Sequence, residues 1–247
     1  TTAVVDDTTR AFLQQATIQK SGDATVTATN DTKIITVAGA VAISMNKSGS
    51  KAVGLAGSVA LNQITLTTDS FIRDSDLQDV KHVVVKAESS GRITAVAAGI
   101  GVAANGAGVA GSVAYNTIDS NTLAYVDDST VIVDSIRIEA IDTSSIIAVG
   151  GSIAYGGKAG IGAGIAWNRI SGGAVARLAR ADVEATGDLI VFATDDSQIT
   201  SVAAAIAVAF NQVEKEEPPE KSDKSNNSGD GGGEESEEEK NESAGSL

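Results

Sequence analysis

Residues Ile93–Ile118, ITAVAAGIGVAANGAGVAGSVAYNTI, form the stretch on which the interpretation of the whole chain rests. Ala, Gly, Val and Ile supply most of it, and one polar break falls at Asn105-Gly106. Three other stretches share this composition: Ile34–Ile64, Ile146–Ile170 and a shorter one that begins at Ile199. Self-similarity at a period of about 50 residues is typical of repeat architectures. The sequence therefore predicts an array of repeated units.

Two sets of residues recur at equivalent positions. The isoleucines that begin the stretches are Ile34, Ile93, Ile146 and Ile199, at spacings of 59, 53 and 53 residues. The asparagines that close the first three stretches are Asn62, Asn116 and Asn168, at spacings of 54 and 52 residues. A longer loop at Asn46–Lys51 accounts for the longer first spacing, since loops absorb insertions. We predict that these seven residues are structural repeat positions and that the asparagine amides stack as a ladder.

The recurring positions also give the domain organisation. Four units follow from them: 1–64, 65–118, 119–170 and 171–213. Together they make residues 1–213 the repeat array, in which the last unit is incomplete. Residues 214–247 hold 12 acidic and 4 basic side chains together with both prolines of the chain. Because such a segment has too little apolar surface to fold, we predict a disordered acidic tail or linker there.

Strand signals prevail over helix signals within the units. Segments such as Val83–Glu88 and Ala24–Thr29 are rich in β-branched residues that alternate with period two. Glycines of the apolar stretches would each cost about 0.8–1 kcal/mol in a helix, relative to alanine. Polar breaks at Asn46–Lys51, Asn105-Gly106 and Gly156–Lys158 predict tight turns between strands. The predicted fold is all-β: a repeat β-solenoid (β-helix-like) of about four units of about 53 residues, each unit comprising two coils of about 26.

The composition predicts a thin core. Aromatic residues make up 3% of the 247 residues, so Val, Ile, Ala and Gly would fill the core. Large and small residues alternate in the apolar stretches, which suits strands with crowded inward positions. The absence of cysteine excludes a disulfide-stabilised protein, and a net charge of −14 provides no basic footprint for nucleic acid. The first ten residues lack the features of a signal peptide, so we expect a mature piece or part of a longer chain.

Candidate catalytic residues are few. The single histidine is His82 and there is no cysteine, so triad and zinc chemistry are not expected. Acidic pairs occur at Asp6-Asp7, Asp127-Asp128 and Asp195-Asp196. Adjacent residues of a strand point to opposite faces and converge only in turns. We expect no enzymatic activity and no cofactor. Calcium binding is kept as an alternative at the polar turns, although the nonapeptide calcium motif is absent. These turns contain Asn30-Asp31, Glu88, Asp142 and Asp195-Asp196.

Two further patterns leave alternatives open. Leu61, Tyr115, Trp167 and Phe210 each precede an asparagine near the end of a stretch. This column either fills the core at a corner or forms an exposed ladder on which sugars stack. The uncharged run Ile93–Val113 has the length of a transmembrane segment. Lys158 and Arg169 in the equivalent stretch argue against a helical span, which leaves a membrane-embedded β element as an alternative.

A resemblance to known proteins is carried by GSVALNQI, GSVAYNTI and GIAWNRI, followed by NTLAYVDDSTV and VIVDSIRIEAIDTSSIIAVGG. These motifs resemble the repetitive regions of large bacterial surface exoproteins, which include filamentous adhesins of the haemagglutinin and leukotoxin type. The resemblance covers Thr9–Val213 and implies a β-solenoid stalk that is extracellular, either secreted or displayed on the bacterial cell surface. The fourth unit departs from the motif, with Arg177-Leu178 in place of Tyr125-Val126.

From the resemblance we expect a structural and adhesive repeat segment that extends and displays binding surface. Its expected partners are a host or neighbouring cell surface or a polysaccharide, together with the flanking repeats of a longer parent chain, and not nucleic acid. Two alternatives stay open: a carbohydrate-binding or carbohydrate-cleaving β-helix, and a membrane-embedded β element. A non-repeated cluster of Asp, Arg or Lys on one face would favour the first. Dependence on detergent would favour the second.

Overall fold

A computed structural model describes residues 1–45 and 52–210, and within these residues there are eleven strands and no helix. The strands are β1 (Thr2–Gln14), β2 (Thr17–Ser44), β3 (Val53–Arg73), β4 (Asp76–Ala103), β5 (Ala107–Asp127), β6 (Thr130–Asp142), β7 (Ser145–Gly156), β8 (Ala159–Ala179), β9 (Asp182–Ala185), β10 (Leu189–Asp195) and β11 (Gln198–Ala209). The prediction of an all-β protein is confirmed for this part of the chain. The predicted loop Asn46–Lys51 and the predicted tail at 214–247 lie outside the described residues.

The strands form two sheets, and neighbouring strands pair in parallel throughout. Sheet 1 has the order β1-β3-β5-β8. In sheet 2, β4 lies between β2 on one side and β6 with β7 on the other, and β9, β10 and β11 complete the far edge. We use the word pass for one strand of sheet 1 together with the sheet 2 strands that follow it. The four passes are β1–β2, β3–β4, β5–β7 and β8–β11.

Each repeat corresponds to one pass through both sheets. The isoleucine column of sheet 2 pairs in register as Ile34, Ile93, Ile146 and Ile199. The asparagine column of sheet 1 pairs in register as Asn62, Asn116 and Asn168. The expectation of two coils of about 26 residues per unit is therefore wrong. A strand pairs with the strand one full repeat away, and each strand of sheet 1 is followed along the chain by strands of sheet 2.

The longer first repeat has a local origin. Ser44 pairs with Ala103 at the end of sheet 2, and Val53 pairs with Ala107 at the start of sheet 1. The register is continuous on both sides, so the additional residues are confined between Ser44 and Val53. This position agrees with the insertion that was predicted for that loop.

Large aliphatic side chains fill the space between the sheets in one half of every pass. Val126 of sheet 1 and Ile138 of sheet 2 belong to one buried cluster, and Ile64 and Ile146 belong to the next. Strand alternation points every second side chain inward, which is why β-branched residues at alternate positions produce this core. Burial of one such side chain stabilises the fold by about 1.5–3 kcal/mol.

In the other half of every pass, the two sheets approach until their backbones nearly touch. A Cβ atom on Gly101 would lie 2.2 Å from the carbonyl oxygen of Val109, and one on Gly108 would lie 2.0 Å from that of Tyr155. Such separations are sterically forbidden, so the prediction of crowded inward positions is confirmed. We call this region the narrow half. It comprises the described residues of 35–61, 94–115, 147–167 and 200–210.

Candidate functional site

The asparagine column lies where the core changes from large aliphatic residues to alanine. Nδ2 of Asn62 donates to Oδ1 of Asn116, and Nδ2 of Asn116 donates to Oδ1 of Asn168, each at 2.7 Å. At the ends, Thr36 Oγ1 donates to Asn62 Oδ1 at 2.5 Å, and Asn168 Nδ2 donates to Ser201 Oγ at 3.0 Å. The predicted amide ladder is thus present, and at each end it crosses from sheet 1 to sheet 2.

Asp142 is a buried carboxylate, 1% exposed, held by hydroxyl groups of both sheets. The hydroxyls of Ser120 and Thr122 donate to Oδ2, the second at 3.2 Å, and Ser144 donates to Oδ1 at 2.7 Å. Ser89 Oγ lies 3.0 Å from Ser120 Oγ and extends the network into the preceding pass. Several hydroxyl donors offset part of the cost of removing a carboxylate from water.

A cavity of about 250 Å³ lies beside this network, toward pass 4. Asp142 and Asp195, which pair in register, both line it, together with Ser197. Ser197 Oγ donates to Oδ1 of Asp195 at 2.5 Å. Gly172 forms part of the cavity wall. Its φ is 107°, and a Cβ there would lie 1.8 Å from the carbonyl oxygen of Ser120, so only glycine fits at this position. The cavity thus brings two carboxylates and several hydroxyls together.

The residues for which calcium was left open are only partly brought together. One inward column contains Asn30, Ser89, Asp142 and Asp195. Asp31, Glu88 and Asp196 alternate with them and point outward. Within residues 1–45 and 52–210, no group of three or more His, Asp or Glu side chains could hold a metal ion. Since calcium takes six to eight oxygens, a buried hydrogen-bond network is the simpler account of the column.

Aromatic side chains stack at the corner between the two sheets. Phe12 and Phe71 lie 5.2 Å apart between ring centroids, and Phe71 and Tyr125 lie 4.8 Å apart, with nearly parallel rings. The guanidinium of Arg177 continues the stack 5.2 Å from the Tyr125 ring, so the departure of the fourth unit from the motif keeps the column intact. Sequence analysis missed this column. Its spacings of 59, 54 and 52 residues match those of the other columns and would have identified it.

The acidic pair Asp127-Asp128 lies at the same corner and converges on one arginine. Arg180 Nη2 contacts Asp127 Oδ2, and Nε and Nη2 lie 2.8 and 3.0 Å from the two carboxylate oxygens of Asp128. Asp128 has a left-handed φ of 46°, as expected of a turn in which adjacent side chains converge. The hydrogen bond from Arg180, and then its charge, lower the pKa of Asp128, and the same hydrogen bond raises the pKa of Arg180. The pair thus ties pass 3 to pass 4.

His82 lies on the outer surface of sheet 2. Its Nδ1 is 2.8 Å from Ser135 Oγ in the adjacent strand, and Asp23 is its register partner on the other side. Both His82 and Asp23 are exposed. Nucleophilic catalysis relies on donors preorganised in a site from which water is excluded. A water-exposed serine and histidine on an open sheet are therefore better explained as a surface hydrogen bond.

Tyr115 and Trp167 form a stacked pair on the outer face of sheet 1. Their ring centroids lie 4.4 Å apart at an interplanar angle of 8°, and the side chains are 42% and 44% exposed. The core-filling interpretation is wrong for this column, because the asparagines that follow point inward and strand alternation turns the aromatics outward. Phe210 belongs to another column: it directly follows β11 of sheet 2, and its ring lies beside Tyr155 with ring centroids 5.8 Å apart.

Large apolar residues of the narrow half point outward on both sheets. Small residues, mostly glycine and alanine with Thr36, Ser58, Ser112 and Ser152, occupy the inward positions, so the alternating Ile, Val and Leu residues face the surroundings. Ile100 and Ile153, which belong to interior passes, are 37% and 46% exposed. We call this outward surface the apolar band. It consists of the outward-facing side chains of 35–43, 53–61, 96–102, 109–115, 147–155, 161–167 and 202–208.

Outside the narrow half the surface is mostly polar. On sheet 2, Lys86 Nζ pairs with Glu88 at 2.7 Å, and Arg137 pairs with Glu139 in the next strand. The boundary between the two surfaces falls at the same level on both sheets, near the isoleucine and asparagine columns. The described part of the chain contains no helix that is long and apolar enough to cross a bilayer.

The predicted repeat positions thus form internal columns, whereas the candidate interaction surfaces lie on the alternate, outward positions. Sequence analysis found the aromatic column but left its orientation open, and it did not find the apolar band, because alternation alone does not say which set of residues faces out. Comparison of the chain with family models, with curated proteins and with solved structures found no match.

Proposed function

We propose that this chain is a structural and adhesive segment of a bacterial surface or secreted exoprotein, organised as a β-solenoid. The observation that carries the proposal is the in-register stacking of all four passes. The asparagine ladder, the aromatic stack and the Arg180 cluster each join consecutive passes rather than distant parts of the chain. Stability in such arrays comes from nearest-neighbour contacts, so further passes lengthen the molecule without a new core.

The strand edges support the same role. β1 and β2 border the first pass, and β8 with β9, β10 and β11 borders the last. Each edge has a row of backbone groups that another parallel strand can pair with. Flanking repeats of a longer parent chain are the natural occupants of these edges, so the segment would serve as a spacer.

The adhesive part of the proposal rests on the outward columns. Side chains of one column recur at the strand spacing of about 4.8 Å, which offers a repetitive partner several equivalent contacts. The Tyr115 ring covers one face of Trp167, and the other face of Trp167 is an aromatic surface at the edge strand β8, close to the exposed Arg169. Sugar rings bind such surfaces through their apolar faces, so we propose a polysaccharide or a glycan-coated cell surface as the partner.

Binding and turnover can be tested together on the full 247-residue chain. The labelled protein is incubated with a panel of polysaccharides and with bacterial and host cells, and released reducing ends and hydrolysis of a chromogenic ester are measured in parallel. We expect binding that Trp167→Ala weakens and the matched control Tyr155→Ala on sheet 2 preserves, without turnover. Turnover abolished by Ser135→Ala would instead identify an enzyme. Absence of binding to every surface would exclude the adhesive role.

A further inference from the structure

We propose that the apolar band enters the hydrocarbon layer of a lipid membrane. The turns at the end of the narrow half, which contain Asn105-Gly106 and Gly157-Lys158, would lead, and the polar half would stay in water. This inference goes beyond the adhesive role and does not depend on it. It rests on the dimensions of the band, its presence on both sheets and the residues at its border.

The band has a height comparable to that of a lipid layer. Its runs contain nine residues in three strands and seven residues in the other four, which at a rise of about 3.3 Å per residue gives heights of about 20–26 Å. The hydrocarbon core of a bilayer is about 30 Å thick. Monomeric soluble proteins rarely expose continuous apolar patches larger than a few hundred Å². An apolar surface of this height on two sheets therefore indicates a site that binds another molecule or a membrane.

The occupant must cover both faces. Four strands spaced by about 4.8 Å make the sheet 2 face about 19 Å wide, and the three strands β3, β5 and β8 make the sheet 1 face about 14 Å wide, which gives areas of about 300–500 Å². A stable protein interface buries about 800 Å² on each partner, so the area of one face is too small to form a stable interface with a second copy of the chain. A partner on one sheet would also leave the other sheet exposed. A fluid lipid layer surrounds both sheets at once and explains why the band ends at the same level on each.

The border of the band has the residues that favour a membrane–water boundary. Tyr115 and Trp167 are the last outward residues of the band on sheet 1, and the next outward position of pass 4 is the exposed Arg169. On sheet 2 the corresponding outward positions are the exposed Lys33 and Arg92. Aromatic rings and long basic side chains accumulate at this depth, because their apolar parts stay in lipid while their polar ends reach water.

The charge distribution indicates the headgroup chemistry. Among the described residues of the narrow half there is no Asp or Glu, and Lys158 lies exposed in the leading turn. The nearest outward carboxylates are Asp31 and Asp119, which lie two residues, or about 7 Å, further from the band than the levels of Lys33 and Arg169. Cations at the border and at the tip lie closer to the headgroups than these carboxylates, and the attraction between opposite charges falls off over about 8–10 Å in salt. The preferred membrane is therefore one with anionic lipids.

Backbone pairing is compatible with insertion for the interior passes. β4 and β5 pair with strands on both sides along the narrow half, so their peptide groups are hydrogen-bonded within the sheets. Hydrocarbon does not tolerate unpaired peptide groups, so the outer strands of the first and last passes need a further strand each. A flanking repeat or a second copy, paired edge to edge, would provide it.

The chain contains its own reporter, since Trp167 is its single tryptophan. The full chain is mixed with vesicles of phosphatidylcholine alone and of an equal mixture with phosphatidylglycerol, and co-flotation and Trp167 emission are measured. We expect flotation with the anionic vesicles and a blue shift of emission. Bromines placed near the headgroup should quench Trp167 more strongly than bromines at the chain end, because Trp167 lies at the border.

Matched variants separate insertion from general surface charge. Val59→Glu places a carboxylate in the apolar band, and Thr67→Glu places one on the same strand and face but in the polar half. A carboxylate inside hydrocarbon should reduce vesicle partitioning about a hundredfold, whereas the Thr67 variant should bind like the unmodified chain. Circular dichroism and the melting temperature of both variants verify that the fold is kept.

Three outcomes would overturn the proposal. One is the absence of flotation with either vesicle. Another is a dimer in lipid-free sedimentation that Val59→Glu dissociates, which would assign the band to a second copy. The third is vesicle binding that Val59→Glu leaves unchanged, which would show that the band does not enter the hydrocarbon. Equal binding to both vesicle types, or binding that the double change Arg92→Ala and Arg169→Ala leaves intact, would overturn only the role of anionic headgroups.

Discussion

The side-chain amide of Asn62 donates a hydrogen bond to the amide oxygen of Asn116, 54 residues further along the chain, at 2.7 Å. Both side chains are buried, at 1% and 0% exposure. Asn116 is the central member of the ladder, because it also donates to Asn168. Its two bonds hold three passes in one register.

Replacing Asn116 with alanine should lower the stability of the array. The change leaves the donor of Asn62 and the acceptor of Asn168 without partners, and each buried polar group left unpaired costs about 1–3 kcal/mol. We expect a loss of about 2–4 kcal/mol in the free energy of unfolding, measured by urea denaturation. Asn121→Ala, on the outer face of the same strand, is the control and should change it by less than about 0.5 kcal/mol. Equal effects would show that the ladder adds nothing.

Asp142→Ala should also destabilise the chain. The change removes the acceptor of the Ser120, Thr122 and Ser144 hydroxyls, and buried donors left unpaired cost about 1–3 kcal/mol each. We expect a loss of about 2–4 kcal/mol, partly recovered in Asp142→Asn because the amide oxygen still accepts. The exposed Asp196→Ala provides the comparison. If Asp142→Ala raised the melting temperature, the cost of the buried charge would exceed the benefit of its hydrogen bonds.

The contact between the sheets predicts a sharp difference between two glycines of β5. Gly108 points inward, where an added Cβ would lie 2.0 Å from the carbonyl oxygen of Tyr155, whereas Gly111 points outward with no atom within 4 Å. Gly108→Ala should therefore destabilise by about 1–3 kcal/mol through overpacking. Gly111→Ala should be neutral or stabilise slightly, since it reduces the freedom of the unfolded chain. Similar melting temperatures for both variants would contradict this packing.

Arg180 should control the titration of Asp128. Its hydrogen bond and charge lower the pKa of Asp128 in the folded protein. A lowered pKa means that the contact stabilises the fold above the ordinary pKa of aspartate and loses this effect as the pH falls through the lowered value. In Arg180→Ala, the midpoint measured for Asp128 by NMR should rise toward the ordinary range. Arg177→Ala leaves the contact in place and should not move the midpoint; a shift of the same size in both variants would contradict the assignment.

The repeat was predictable from the sequence, and the geometry of one pass was not. Columns such as Ile34 with Ile93 follow from spacing alone, because parallel in-register pairing keeps equivalent residues together. The number of strands per repeat depends on where the chain reverses, and glycine-rich strands and turns look alike in sequence. The register shift between Leu77 and Val80, with Asp79 at a left-handed φ of 55°, illustrates the limit. No local pattern of residues marks it.

The sequence predicts which side chains of a strand face outward only where one alternating set is clearly polar and the other is clearly apolar. Asn116 is too polar to be placed in the core by composition, yet it faces inward because its neighbours on the ladder satisfy its amide. Tyr115 would ordinarily be placed in a core, yet it faces outward because the facing sheet leaves no room. The first result depends on amide partners in the neighbouring passes and the second on the distance between the sheets, so both are properties of the assembled passes.

Continuous register also limits how such a chain can change length in evolution. Duplicating or deleting one whole pass leaves the amide ladder, the corner stack and both faces of the band continuous. Deleting a few residues inside a strand would move every later residue of that strand out of its column. If the number of deleted residues were odd, the inward and outward side chains of the rest of the strand would exchange places. Only the segments that connect the strands, such as the one between Ser44 and Val53, can absorb smaller changes. A gene for such a protein would be expected to grow and shrink in steps of one repeat.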